Sequence, residues 1–215
     1  MPVEQKPQLK VSVISDYICP FCFIGSRRLE SLRQDYDLKI NWCFVEIHPE
    51  TPAQGMDVKM FDYSQEHWDT LMKNLKTLAD EENIAFSEHT TTTNSRQALL
   101  LAEASKQLGA ELFYPLHHRL FEAFFVDGKN IGDEQVLREL AAECQIPEPI
   151  LEQAWSDPNT HGPADTVPQA LLPYLQYVGA INATGVPTYI IGKQMLSGAV
   201  SRQRLQEAAN LALAP

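Results

Sequence analysis

Strand-forming composition is confined to the two ends of this 215-residue chain, and the long stretch between them reads as helix. Near the start, residues 9–14 (LKVSVI) are a short β-branched run of the kind that forms a buried strand. Residues 23–34 carry Ile24, Leu29 and Leu32 at helical spacing among Arg and Glu, and residues 38–47 return to Ile, Trp, Phe and Val. Strand, helix and strand with short connections predict a right-handed βαβ unit with parallel strands. At the far end, residues 185–191 and 194–199 read as a hairpin turned at Gly192-Lys193, and Ser201 caps a helix through residue 211. The expected fold class is therefore α/β: a small sheet domain (βαβ…ββα, residues 8–55 and 180–215) interrupted by a large all-helical insertion (residues 56–179).

Within the insertion, residues 64–83 place Trp68, Leu71, Met72, Leu75, Leu78 and Ala79 on one helical face. Asn94 is a candidate N-cap for a helix to residues 106–108, with Gly109 closing it. Residues 112–126 read as a helix with Pro115 in its first turn. Asp133 is placed to cap a helix through Cys144, and Pro147 opens another to about residue 155. Residues 48–57 and 157–168, rich in Pro and Gly, read as loops; a less regular helix, punctuated by Pro168 and Pro173, runs to about residue 180. The aromatic residues Trp68, Tyr114, Phe121, Phe124 and Phe125 are read as helix core packing in preference to a groove wall. Glu66, Asp69, Asp80, Glu81 and Glu82 are read as a solvated face.

With 44% hydrophobic and 21% charged residues the chain has the makeup of a globular protein. Its net charge of −11 argues against nucleic acid and against anionic membranes as partners, since both need clustered Lys and Arg. No apolar run approaches the roughly 18 residues of a membrane span. Residues 1–10 have two prolines and no apolar segment, so a signal peptide is not expected and the expected location is cytoplasmic. In a reducing compartment, neighbouring thiols are more often catalytic or metal-binding than structural. Of the four cysteines, Cys43 and Cys144 lie in apolar or helical contexts and are expected to be inert. Cys19 and Cys22 are the pair that matters.

Cys19-Pro20-Phe21-Cys22 falls where the first strand hands over to the first helix. Only a thiolate attacks a disulfide, and the unpaired amides and dipole of a helix N-terminus favour an anion. Cys19, at the expected exposed mouth of the helix, is the candidate nucleophile. Cys22, one turn on along the same face, is the candidate resolving thiol. Pro20 suits the first helical position, where its missing N–H costs nothing; Phe21 offers no side-chain donor. The alternative, half of a structural zinc site, needs a second ligand pair. The six histidines (His48, His67, His89, His117, His118 and His161) show no H-x₃₋₅-H spacing, and His117 and His118 point about 100° apart on a helix. No metal site, and no flavin or nucleotide motif, is expected.

The run Asp16-Tyr17-Ile18-Cys19-Pro20-Phe21-Cys22 followed by Gly25, together with Gly185-Val186-Pro187-Thr188, resembles the DsbA-like thioredoxin-fold oxidoreductase family. Phe121-Glu122-Ala123-Phe124-Phe125, residues 128–133, and His48-Pro49-Glu50 leading to Gly55 are similar to its FrnE-type branch. The resemblance spans about residues 10–211. It implies a thioredoxin fold and thiol–disulfide oxidoreductase or isomerase activity on protein or small thiol substrates, with no cofactor beyond the dithiol and glutathione as a conceivable co-substrate. It also implies a cis Pro187 against the dithiol, so that Val186 presents its N–H and C=O to an extended substrate, with Pro20 and Phe21 alongside. Related 2-hydroxychromene-2-carboxylate isomerases and kappa-class glutathione transferases carry Ser at the first Cys position; both cysteines here make a glutathione-dependent isomerase or transferase of small aromatic compounds the alternative reading. A buried acid near the resolving thiol is a further expectation, with Asp16 and Glu46 as candidates. The preferred readings are a turn or helix cap for Asp16 and a solvated Glu46.

Overall fold

The computed structural model describes residues 6–60, 64–88 and 91–214. The β-branched run near the start forms β1 (Gln8–Ser15), which delivers the chain through a tight turn to α1 (Pro20–Glu30). A turn of 3₁₀ helix (Ser31–Gln34) leads into β2 (Asp37–Phe44), parallel to β1 over its whole length. Residue 44, not residue 47, ends this strand, because Ile47 gives its amide to the Asp16 carboxyl and so leaves the ladder.

The insertion departs from an all-helical reading. β3 (Met56–Asp57) pairs antiparallel with β4 (Thr91–Thr92), a two-residue ladder too short to leave a periodic signature. Between them runs α2 (Gln65–Glu81), as the apolar face predicts. Next come α3 (Arg96–Ser105), α4 (Ala110–Phe125), α5 (Glu134–Glu143), α6 (Glu148–Ala154) and α7 (Leu172–Ile181). Asp133 caps α5 through the Gln135 amide, as expected. Asn94 caps α3 from one residue further out than predicted, accepting the Arg96 amide at 3.0 Å while Ser95 takes the N-cap position. Pro115 sits in the second turn of α4, not the first, so α4 forgoes one backbone hydrogen bond there.

The chain then returns to the sheet. β5 (Thr188–Ile191) and β6 (Gln194–Ser197) form the expected hairpin, with Gly192 at φ 58°, and α8 (Arg202–Leu213) begins at Ser201, whose hydroxyl accepts the Arg204 amide. The sheet order is β2-β1-β5-β6, with β5 antiparallel to β1. Val11 faces Ile191 and Ile14 faces Thr188 across that pair. This register sets the segment before β5 beside the turn that leaves β1. One buried apolar cluster runs from Leu9 and Val13 through Leu99 and Leu116 to Leu205, so sheet and insertion share a core. Among the described residues no helix is long and apolar enough to cross a membrane.

Candidate active site

Cys19 occupies the N-cap of α1 in extended backbone (φ −93°, ψ 113°), with Pro20 just inside the helix and the Cys22 and Phe23 amides returning to the Cys19 carbonyl. The Cys19 side chain makes no cap bond to the helix. Its sulfur instead lies 3.7 Å from the Val186 carbonyl, across the cis Val186–Pro187 bond from β5. The structure thus brings together Cys19, Cys22, Val186 and Pro187 from opposite ends of the chain. In this reduced state the Val186 carbonyl accepts from the Cys19 thiol.

Both thiols are free, and both are more buried than an exposed helix mouth implies: Cys19 is 5% exposed and Cys22 1%. For Cys19 the insertion supplies part of the cover. Trp68, Leu71 and Leu75 of α2, with Phe124 and Phe125 of α4, wall a mainly apolar cavity of about 330 Å³ that opens onto Cys19, Pro20 and Phe21. Cys19 itself lines this cavity. The core-packing reading therefore holds for Phe121, which is stacked 5.4 Å from Phe23, and for Tyr114, which packs on Phe113 and under the Arg33 guanidinium. Trp68, Phe124 and Phe125 do line the groove. Cys22 lies behind Cys19, and burial first, then the Cys19 sulfur, push its thiol well above the usual range. The Asp16 backbone amide and the Ser15 hydroxyl oppose that shift.

Asp16 is fully buried, and its carboxyl is both a turn element and an unusual acid. It accepts the Ile18 amide at 3.3 Å and the Ile47 amide at 2.8 Å, yet burial raises it to about 7. Glu46 is not solvated: its side chain is 8% exposed and pairs with Arg96 at 2.9 Å. That guanidinium also donates to the carbonyls of Asn159, Gly162 and Thr166, so Glu46 belongs to a structural clasp. Nor is Glu82 part of a solvated face, since it is 3% exposed between Arg28 and Arg202. Cys43 is buried and pushed up to about 11. His117 is likewise fully buried; its Nδ1 shares a hydrogen bond with the Tyr17 hydroxyl at 2.8 Å and its Nε2 meets the Ser26 hydroxyl at 3.3 Å, pinning the residue two before Cys19 to α4. His89 lies outside the described residues.

The raised Asp16 carboxyl makes folding stability depend on pH. Its folded pKa is above the unfolded 3.8, so the stability it contributes is complete below about pH 4 and lost as pH rises through 7. A rise of that size corresponds to about 4 kcal/mol. Asp16→Asn cannot ionise, but it gives up one of the two amide acceptors. Relative to the parent it is expected to gain roughly 2–4 kcal/mol between pH 4.5 and pH 8 in urea unfolding. A difference that stays flat with pH removes the raised carboxyl.

A dithiol at a helix start, a cis-proline loop beside it and a sheet of order β2-β1-β5-β6 interrupted by helices define a thioredoxin-fold protein. The chain belongs to the DSBA-like thioredoxin domain family, whose model matches residues 10–210. It is 29% identical over 200 residues to the uncharacterized protein YwbO of Bacillus subtilis (strain 168), covering 92% of this chain and 94% of that one. A probable DsbA oxidoreductase from Streptomyces coelicolor shares the fold with a TM-score of 0.80 at 20% identity, over 95% of this chain and 90% of that one. So does the cytosolic disulfide reductase DsbM from Pseudomonas aeruginosa, with a TM-score of 0.66 at 18% identity, over 95% and 100%.

Proposed function

We propose that this protein is a thiol–disulfide oxidoreductase or isomerase of the FrnE-type branch, acting through Cys19-Pro20-Phe21-Cys22 on protein or small-molecule disulfides. The observation that carries this reading is the Cys19 sulfur at a helix N-terminus, 3.7 Å from the Val186 carbonyl and opening onto an apolar cavity. The Cys19 thiolate attacks a substrate disulfide, forming a mixed disulfide and expelling one substrate thiolate. Cys22 gives up its proton and attacks Cys19, closing the Cys19–Cys22 bond and releasing the second substrate thiol. Two electrons pass from protein to substrate, and the reverse sequence oxidises a dithiol.

Asp16 is the better proton acceptor of the two acids, because it titrates near neutrality while Glu46 is held by Arg96. Once Cys19 is in a disulfide it no longer donates to Val186, and the freed carbonyl is available to an extended substrate held between Val186, Pro20 and Phe21. The apolar walls favour hydrophobic residues flanking the target disulfide. A cytoplasmic location fits the same reading, and the disulfide reductase DsbM that shares the fold is itself cytosolic.

Equilibrating the protein in glutathione redox buffers and counting blocked thiols tests the reading. A single two-electron transition confined to Cys19 and Cys22 is expected, with Cys43 reduced throughout. Failure of the pair to close at any buffer ratio, with saturable glutathione binding, would favour the glutathione-dependent isomerase or transferase chemistry instead.

A further inference from the structure

Tyr189 lies on β5, two residues beyond Pro187, and its hydroxyl is buried without a hydrogen-bond partner among the described residues. Buried hydroxyls are nearly always paired, so an orphan beside a reactive centre calls for a reason. The phenol is aimed at α1. A Cβ built on Gly25 would stand 2.0 Å from the Tyr189 oxygen and 3.3 Å from its Cζ. Gly25 follows Cys22 by three residues and so continues the face that carries it. Only the missing side chain at Gly25 lets the hydroxyl come this close to that face. Burial, then the neighbouring Cys22 and Cys19 sulfurs, hold the phenol far above its ordinary range, so it keeps its proton while a thiol ionises.

The chemistry supplies the missing partner. In the resolving step, Cys22 transfers its proton to the Asp16 carboxylate and attacks the Cys19 sulfur. The Cys19–Cys22 bond forms as the Cys19–substrate bond breaks, and the substrate sulfur leaves with the electron pair and takes a proton from solvent. For an instant a buried sulfur is an anion, opposed by burial and assisted by the Asp16 amide and the Ser15 hydroxyl. We propose that the Tyr189 hydroxyl, held against α1 by the gap at Gly25, is a third hydrogen-bond donor that engages Cys22 only when that sulfur carries charge. This rests on the dithiol reading above. The orphan donor is then the resting form of a contact made in the reaction.

The test separates the two sulfurs. In a Cys43→Ala, Cys144→Ala background, reduced protein is mixed with excess dithiobis(nitrobenzoate) in a stopped-flow cell. Attack by Cys19 releases one coloured thiolate, and resolution by Cys22 releases a second. Tyr189→Phe keeps the ring over Gly25 and deletes only the hydroxyl, and its thermal transition is expected at or above that of the parent. Its second phase is expected to slow by about tenfold or more, the loss of one hydrogen bond to a charged group, with the first phase unchanged. A second phase at the parental rate, or both phases slowed alike, overturns the role of Tyr189 and leaves the dithiol reading intact. A parent protein showing the first phase alone overturns the dithiol reading, and Tyr189's role with it.

Discussion

Cys19→Ser is expected to lower disulfide reduction by about 10³-fold or more without lowering stability. The other thiols are poorly placed to substitute: Cys22 is 1% exposed behind it, Cys43 is buried and pushed up to about 11, and half-buried Cys144, at the C-terminal end of α5, has its thiol raised by burial. Stability should hold or rise, because serine is a preferred N-cap residue and the Cys19 side chain makes no cap bond that serine would lose. Cys22→Ser should behave differently. It retains the first attack and cannot resolve it, so a mixed disulfide with the substrate accumulates and shows in the intact mass. Activity surviving in Cys19→Ser, or a Cys22→Ser protein that never forms the adduct, would contradict the assignment of roles.

The second large effect concerns the clasp around Arg96. This guanidinium is 2% exposed, meets both Glu46 oxygens through Nε and reaches four carbonyls of the segment between α6 and α7. Arg96→Met keeps much of the volume but strands a buried carboxylate and unpairs those carbonyls. Losing one partner of a buried pair costs about 3–5 kcal/mol, so a comparable drop in unfolding free energy is expected from urea titration. Adding Glu46→Gln removes the stranded charge and should recover part of the loss. A single variant within about 0.5 kcal/mol of the parent would mean that the clasp is not formed in solution.

Most of the architecture was legible because it rests on local chemistry. β-branched runs at both ends named the strands, Asp133 and Ser201 named two helix starts, and Gly192 named the hairpin turn. The dithiol was legible for the same reason, since its spacing and its place at a strand–helix junction are local facts. What the sequence concealed was set by partners distant along the chain. Glu46 reads as solvated until Arg96 is seen beside it, and Glu82 until Arg28 and Arg202 close on it. Cys19 reads as exposed until α2 is folded over it, and the same helix turns Trp68 from core packing into a cavity wall. The β3–β4 ladder is too short for any periodicity. Tyr189 gave no signal of its own, although Gly25 inside an otherwise strong helix was a hint that something approaches closely there.

Strand β1 has one sheet neighbour, β2, close behind it in the chain and another, β5, that is synthesised only after the entire insertion; 167 positions likewise separate Cys19 from Val186. A growing polypeptide therefore emerges from the ribosome bearing both thiols long before the Val186 carbonyl that meets the Cys19 sulfur exists. Closing so long a span is entropically demanding and slow compared with forming the local βαβ unit. Through that interval both sulfurs lack part of the cover that leaves them 5% and 1% exposed in the folded protein.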